Sequence, residues 1–435
     1  MALQKIMVRR LFLIVGVCLM TGLIMTSLNV SAGRAASGIA SSLTSGYLHT
    51  RGNNIVDASG EVVGLSGLNW FGFETSNFAP HGLWTRNLDE MLDQIKSLGY
   101  NTLRLPFSNA MLEPGAQPNG IDLVKNPDLA GLSALQVMDR IIAEAGVRGL
   151  WVILDNHRST PGGGPESGGL WYTHEYPEST WIEDWKMLAT RYKGNATVVG
   201  MDLRNEPYGA CWGCGDPALD WRLAAEKAGN AILAVNPELL IIVEGVAVYN
   251  NHATWWGGNL MGARDNPVRL TVPERLVYSP HDYPASVYPH SWFSDPGYPK
   301  NLPAIWDQFW GYLVEEEIAP ILIGEFGSRY TSPSDQQWML ALRDYIQQNE
   351  LSWTFWSLNP NSGDTGGLLL DDWQSIHQGK QEVLEKIQYP LNSIPPPKPS
   401  PTAIIALPLL LNQSEITTLN RWPPFRGLQP YNHSD

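Results

Sequence analysis

Eight short apolar runs, each followed by a segment of a different periodicity, constrain this chain more than any other feature of it. The runs lie at 62–71, 101–108, 150–158, 198–207, 239–246, 275–283, 320–327 and 352–360. Each is short and bounded by turn residues, as a strand buried on both faces would be. Helix-like amphipathic segments lie at 88–99, 132–149, 180–194, 221–237, 303–317, 334–350 and 380–388. In the first of them, Leu88, Met91, Leu92 and Ile95 share one helical face. Pro333 or Ser334 opens the sixth, and Gly99 and Gly149 sit where helices should stop. The fifth crossover, 247–274, is rich in Gly, Asn and Trp and has no helical period. Eight strands alternating with helices is the count of an α/β fold of the (β/α)8 TIM-barrel type, here spanning 45–390. A doubly wound open sheet would alternate in the same way. No GxGxxG turn follows the first run, however, and no cofactor is implied.

In such a barrel, chemistry collects where the strands end. Arg104, His157, Asn205, Glu206, His281, Tyr283, Glu325 and Trp356 all fall at or near the C-terminal ends of the proposed strands. Most of the 43 acidic residues are expected to be solvated surface charge. Glu206 and Glu325 are poor candidates for that role. Each ends an apolar run and is flanked by Asn-Pro or Gly-Phe-Gly turn chemistry. Two carboxylates in an aromatic-lined cleft are what glycosidic bond cleavage requires. Among the 18 tryptophans, Trp70, Trp171, Trp212, Trp255 and Trp256 lie in loops after strands and are expected to line a cleft. Trp181, Trp185, Trp221, Trp306, Trp310 and Trp338 lie in helical segments and are expected to pack. Glu74, Asp155, Glu244 and Asp282 read as hydrogen-bonding groups around the cleft rather than catalysts.

The stretches GLNWFGFET, LRNEP, ACWGCGDP, WWGGNL, SPHDY, GEFG and SGDTGG, in this order, resemble glycoside hydrolase family 5. The resemblance covers about residues 47–390 and is closest to the secreted bacterial endo-β-1,4-glucanases. It implies that Glu206 is the acid/base and Glu325 the nucleophile of a retaining, double-displacement hydrolysis. Arg104 and Tyr283 would attend the nucleophile, Asn205 the sugar 2-hydroxyl, His157 and His281 the substrate and acid, and Trp356 the sugar at the cleavage point. A second negative charge nearby raises a carboxyl pKa, so Glu206 should stay protonated and Glu325 ionised. The implied partner is a β-glucan, met by a monomer without cofactor or metal ion. A β-mannanase or another β-glycanase of the same family is the first alternative. A metal-dependent barrel hydrolase using His157, His281 and Asp282 would lack an HxH pair or HExxH. A non-catalytic glycan-binding barrel typically loses one carboxylate, and both are present. Where relatives can carry cysteines, this chain has Ser76 and Ser159-Thr160-Pro161. A long-range disulfide is therefore not expected, and the PGGGPESGG loop is expected to reshape nearby subsites.

The chain opens with Lys5, Arg9 and Arg10, then LFLIVGVCLMTGLIMTSL, then small residues around VSAGRAAS. That order reads as a secretory signal over 1–36, with an uncleaved membrane anchor as the alternative. Either way the body of the chain is expected to be exported. Loss of the four basic residues in 1–36 would take the net charge from −14 to about −18. So acidic a surface argues against nucleic acid or anionic lipid as a partner. Cys211 and Cys214 form a CxxC that suits a metal half-site, a redox pair or a short local disulfide. No second CxxC completes a zinc site, and export implies oxidising surroundings, so a disulfide shaping the loop after Glu206 is favoured. Residues 391–402 read as a stiff proline-rich linker. The tail, 403–435, is too short for an ordinary binding module.

Overall fold

The computed structural model describes residues 46–389, so the signal-like segment, the linker and the tail lie outside the described residues. Strand β1 is Ser66–Asn69, β2 Thr102–Ser108, β3 Trp151–Arg158, β4 Val198–Asp202 and β5 Leu240–Glu244. Strand β6 runs Leu276–Ser279 and resumes at His281–Asp282, while β7 runs Leu322–Ile323 and resumes at Glu325–Phe326. Strand β8 is Ser352–Phe355. All pair in parallel, in the order β6-β5-β4-β3-β2-β1-β8-β7. The ring closes where Tyr278 bridges Ile321 and where His281–Asp282 pairs with Glu325–Phe326. This is the (β/α)8 barrel expected.

Both strands at the closure are interrupted, for local reasons. Pro280 has no N–H to give to a ladder, and its carbonyl instead accepts from Gly324 N at 3.1 Å. A Cβ at Gly324 would sit 2.4 Å from Ser279 Oγ, so glycine is what lets the two strands approach.

Alternation along the strands sets up an axial gradient inside the barrel. Trp151 and Ile153 of β3, Leu240 and Ile242 of β5, Val277 of β6 and Leu322 of β7 form an apolar inner cluster. Leu48, just before the hairpin His49–Arg51/Asn54–Val56, and Ile55 within it join that cluster at the N-terminal end. Continuing the same parity towards the other end places Asp155, His157, Glu244 and His281 inside as well. Leu103, Leu105, Val152, Leu154, Ile241 and Val243 point outward into the larger core beneath the helices.

Those helices are α1 Leu88–Ser97, α2 Ala134–Val147, α3 Glu178–Arg191 and α4 Trp221–Val235. Helix α5 begins at Leu302–Trp306 and passes through a π turn at Asp307–Gly311 into Tyr312–Glu315. Helices α6 Pro333–Asn349 and α7 Gln378–Leu384 complete the layer. Asn87, Ser133, Asp220 and Ser332 cap α1, α2, α4 and α6, each accepting an otherwise unpaired backbone N–H. Pro333 is the first residue of α6. In the fifth crossover the described residues hold only a hairpin, Val248–Tyr249/His252–Ala253, and a 3-10 turn at Met261–Ala263. Asn250 and Asn251, at φ 47° and 63°, supply the two left-handed positions of the hairpin turn.

The helical tryptophans pack, as expected, and also fasten helix to strand end. Trp181 and Trp185 of α3 both donate to the Leu203 carbonyl, and Trp221 of α4 donates to that of Glu244. Asp282 departs from its sequence reading. It points out of the barrel and accepts from the Trp306 and Trp338 indoles at 3.1 and 2.7 Å, because the residue after inward His281 must face the helices. Burial pushes its carboxyl up to about 7, and the two indole N–H groups oppose this. Asp282→Ala would leave two buried indole donors unpaired. It is expected to lower the unfolding free energy by about 2–3 kcal/mol, measured by denaturant titration.

Candidate active site

All eight residues singled out at strand ends converge at the C-terminal mouth of the barrel, and Arg104 is their hub. It projects inward from β2 and is fully buried. Its Nη1 donates to Glu325 Oε1 at 2.7 Å and to Asn69 Oδ1 at 2.9 Å. Its Nε donates to Asp202 at 2.9 Å, and its Nη2 reaches Glu244, Asp155 and Asn205 at 3.0, 3.1 and 3.2 Å. Burial works against the guanidinium charge. The four surrounding carboxylates overcome that and hold its pKa well above the usual range.

Glu325 starts the second half of β7. Its Oε2 accepts from the Tyr283 hydroxyl at 2.7 Å and lies 3.6 Å from His281 Nδ1. Register explains the latter, since His281 and Glu325 are direct partners across the closure. Arg104 and Tyr283 thus hold one oxygen each, and both donors complement a negative charge.

Glu206 sits just past β4 in a left-handed backbone conformation, φ 45°, uncommon for a side chain of its size. Its N–H donates to Glu244 Oε2 at 2.7 Å, which holds the turn in place. His281 Nδ1 lies 3.0 Å from Glu206 Oε1. Burial opposes the charge on His281, but Glu244, Glu325 and the hydrogen bond to Glu206 raise its pKa well above the usual range. Burial pushes Glu206 itself up to about 7. The charges of Glu325 and Glu244 add to this, and His281 opposes it.

Asn205 can offer Arg104 only its carbonyl oxygen, because the guanidinium has no acceptor. Its amide nitrogen is thereby turned to the cleft, which Asn205 lines. His157 Nδ1 bonds to Asp155 at 2.7 Å, leaving Nε2 free. Burial takes its pKa down to about 3, so the ring is neutral. Trp356, just past β8, stacks near-parallel with His157 and Phe71 at ring separations of 5.5 and 5.4 Å. Its indole N–H donates to Ser362 at 3.1 Å.

The cleft holds about 550 Å³ and is lined by Glu206, Glu325, Trp255, Trp256, Tyr288 and Trp356, among others. Trp256 is 46% exposed and lies flat against Tyr208, 4.1 Å between ring centres. Trp70, Trp171 and Trp212, expected to line the cleft, do not. They are buried, and their indoles bond to His81 O, Glu178 and Asn266 O. A loop position says nothing about whether the loop folds inward. Asn69 and Asp202, both partners of Arg104, were missed by sequence reasoning. Strand parity carries the signal for Asn69, whereas an irregularity in β4 between Val198 and Gly200 turns Asp202 inward, which alternation alone does not give.

Cys211 and Cys214 are joined as a disulfide in the loop after Glu206. The Asp220 carboxylate accepts from Gly213 and Gly215 and caps α4 in the same loop. Among the described residues, three groups of carboxylates and histidines are close enough to share a cation: Asp155/His157/Glu325, Glu206/His281/Glu325 and Asp155/Asp202/Glu244. Arg104 or His281 already provides positive charge within each, so the site is built around protein cations.

A buried arginine holding one glutamate, and a histidine-paired second glutamate across a tryptophan-lined cleft, define a barrel hydrolase acting on glycosidic bonds. The family model for Cellulase (glycosyl hydrolase family 5) matches residues 56–362. The chain belongs to this family. An endoglucanase of Paenibacillus polymyxa is 57% identical, across 80% of this chain and 89% of its own length. The major extracellular endoglucanase of Xanthomonas campestris pv. campestris is 42% identical, across 83% and 73%. An endocellulase of Pyrococcus horikoshii, solved in complex with cellotetraose, is similar at a TM-score of 0.74 and 43% identity. That match covers 80% of this chain and 99% of the other.

Proposed function

We propose that this protein is an endo-acting β-1,4-glucanase that cleaves cellulose-type chains with retention, Glu206 serving as acid/base and Glu325 as nucleophile. The observation that supports the mechanism is the closeness of the two carboxylates: an oxygen of each lies within 4.8 Å of the other, and His281 Nδ1 is 3.0 Å from Glu206 Oε1 and 3.6 Å from Glu325 Oε2. Retaining enzymes hold their carboxyl groups about 5–5.5 Å apart, whereas inverting ones leave about 6.5–9.5 Å for a water molecule. Glu325 attacks the anomeric carbon while protonated Glu206 donates to the leaving oxygen. Once the sugar is bonded to Glu325 that negative charge is gone, so Glu206, its proton already passed to the leaving group, stays ionised. It then activates water for the second displacement. The names of the relatives support glucan as the substrate, and the tryptophans of the cleft support a polymer of flat rings.

Proton NMR during early turnover tests the stereochemistry. β-Anomer should appear first, and α-anomer first would reject double displacement. The pH profile provides a second test. Because burial raises Glu206 to about 7, kcat/KM on cello-oligosaccharides should fall as pH rises through about 7. A dinitrophenyl cellobioside, whose leaving group needs no proton, should lose that alkaline limb. If both substrates kept the same limb, Glu206 would not be the donor.

The order of basic, apolar and small residues in 1–36 supports export of the protein. No helix among the described residues is long and apolar enough to cross a membrane.

A further inference from the structure

Lys380, near the start of α7, is a buried cation that the chemistry above does not use. It is 1% exposed, and among the described residues no carboxylate pairs with it. Its Nζ instead donates to the carbonyls of Thr365 and Gly367, at 2.9 Å each. Burying an ammonium without a counter-ion costs stability, and here burial pulls its pKa down to about 8. A methionine would fill the same space without that cost but would leave the two carbonyls without a donor. What the lysine holds is the loop 362–367. Thr365 Oγ1 lies 2.8 Å from Ser362 Oγ, and that oxygen accepts the Trp356 indole N–H. Asp364 and Thr365 also line the cleft. The loop abuts the turn that follows Glu325 as well. A Cβ at Gly327 would lie 1.9 Å from Trp356 O and 3.5 Å from Thr365 Cβ.

We propose that Lys380 is a positioning residue: by fixing the 362–367 loop from behind, it holds the Trp356 indole at the angle that the reacting glucosyl ring requires. The inference rests on the glucanase reading and goes one step further along a hydrogen-bond chain, from Lys380 through Thr365 and Ser362 to Trp356. It predicts coupling between Lys380 and Trp356 that a merely structural lysine would not have.

The experiment is a double-mutant cycle of Lys380→Met and Trp356→Ala, with cellopentaose turnover expressed per active site titrated by an activated 2-fluoro-cellobioside. In the parent background Lys380→Met should cost about tenfold in turnover per titrated site, a usual coupling within one hydrogen-bond network. In the Trp356→Ala background the same change should cost less than about twofold. Equal losses in both backgrounds would overturn the proposal. So would a lowered midpoint with turnover per titrated site unchanged. If Lys380→Met does not fold, Lys380→Gln, which keeps two N–H donors, takes its place in the same cycle. A parent protein that cuts no β-1,4-glucan would reject the glucanase reading instead, which is a separate outcome.

Discussion

Glu325→Gln is expected to abolish turnover on every substrate, by about 10⁵-fold or more, as removal of a nucleophile does when the rest of a site is intact. The amide is nearly isosteric, so Arg104 and Tyr283 lose a charged acceptor without losing their places. No covalent sugar should accumulate, whatever the leaving group. Glu206→Gln should behave differently. On cello-oligosaccharides it should cost about 10²–10⁴-fold, the range for a general acid/base. On a dinitrophenyl cellobioside the first displacement should survive, because that leaving group departs unaided. Added azide should then restore turnover and yield the β-glycosyl azide. The two variants are compared by steady-state kinetics with and without azide, and by the anomeric configuration of the azide product. A β-glycosyl azide from Glu325→Gln would reverse the assignment.

Trp356→Ala should lower turnover on the order of 100-fold in addition to weakening binding, since a small misplacement of the reacting ring is that costly. The parent should cut cello-oligosaccharides faster as they lengthen from cellotriose to cellohexaose, and internally. Remote rings contribute binding that can be used to distort the central one. Trp255 and Trp256 extend the aromatic lining beyond Trp356. Removing Trp356 uncouples that remote binding from the ring being distorted, so the variant should show a much flatter dependence on chain length. Initial rates for both proteins across the series decide this. Equal parent rates on cellobiose and cellohexaose would reject an open, endo-acting cleft in favour of an exo-acting pocket.

Much of this molecule was legible before any coordinates. Short apolar runs bounded by turn residues and helical spacing are local properties, and together they yielded eight strands, their helices and the exceptional fifth crossover. Glu206 and Glu325 stood out because a carboxylate that ends a buried run has few other reasons to be there. Where readings failed, the missing information was non-local. Trp70, Trp171 and Trp212 follow strands just as Trp255 and Trp256 do, yet only the latter two line the cleft. Which way a loop tryptophan turns depends on the carbonyl that its indole finds, and for Trp212 that carbonyl is 54 residues away. Asp282 looked like a cleft residue by proximity to His281, but one step of strand parity sends it to the opposite side of the sheet.

By itself, then, the sequence determined the barrel, the end of it where the candidate site residues gather and the two glutamates proposed as the catalytic pair, because each follows from neighbours within a few residues. Only the tertiary structure decided how those glutamates differ. Glu325 is gripped by Arg104 from β2 and Tyr283 from beyond β6, while Glu206 is paired with His281 and braced by Glu244 through its own backbone. Those partners are up to 221 residues apart in the chain. They meet because closing eight strands into a ring brings every strand end to one mouth. The electrostatic asymmetry between two chemically identical carboxyls arises from that closure.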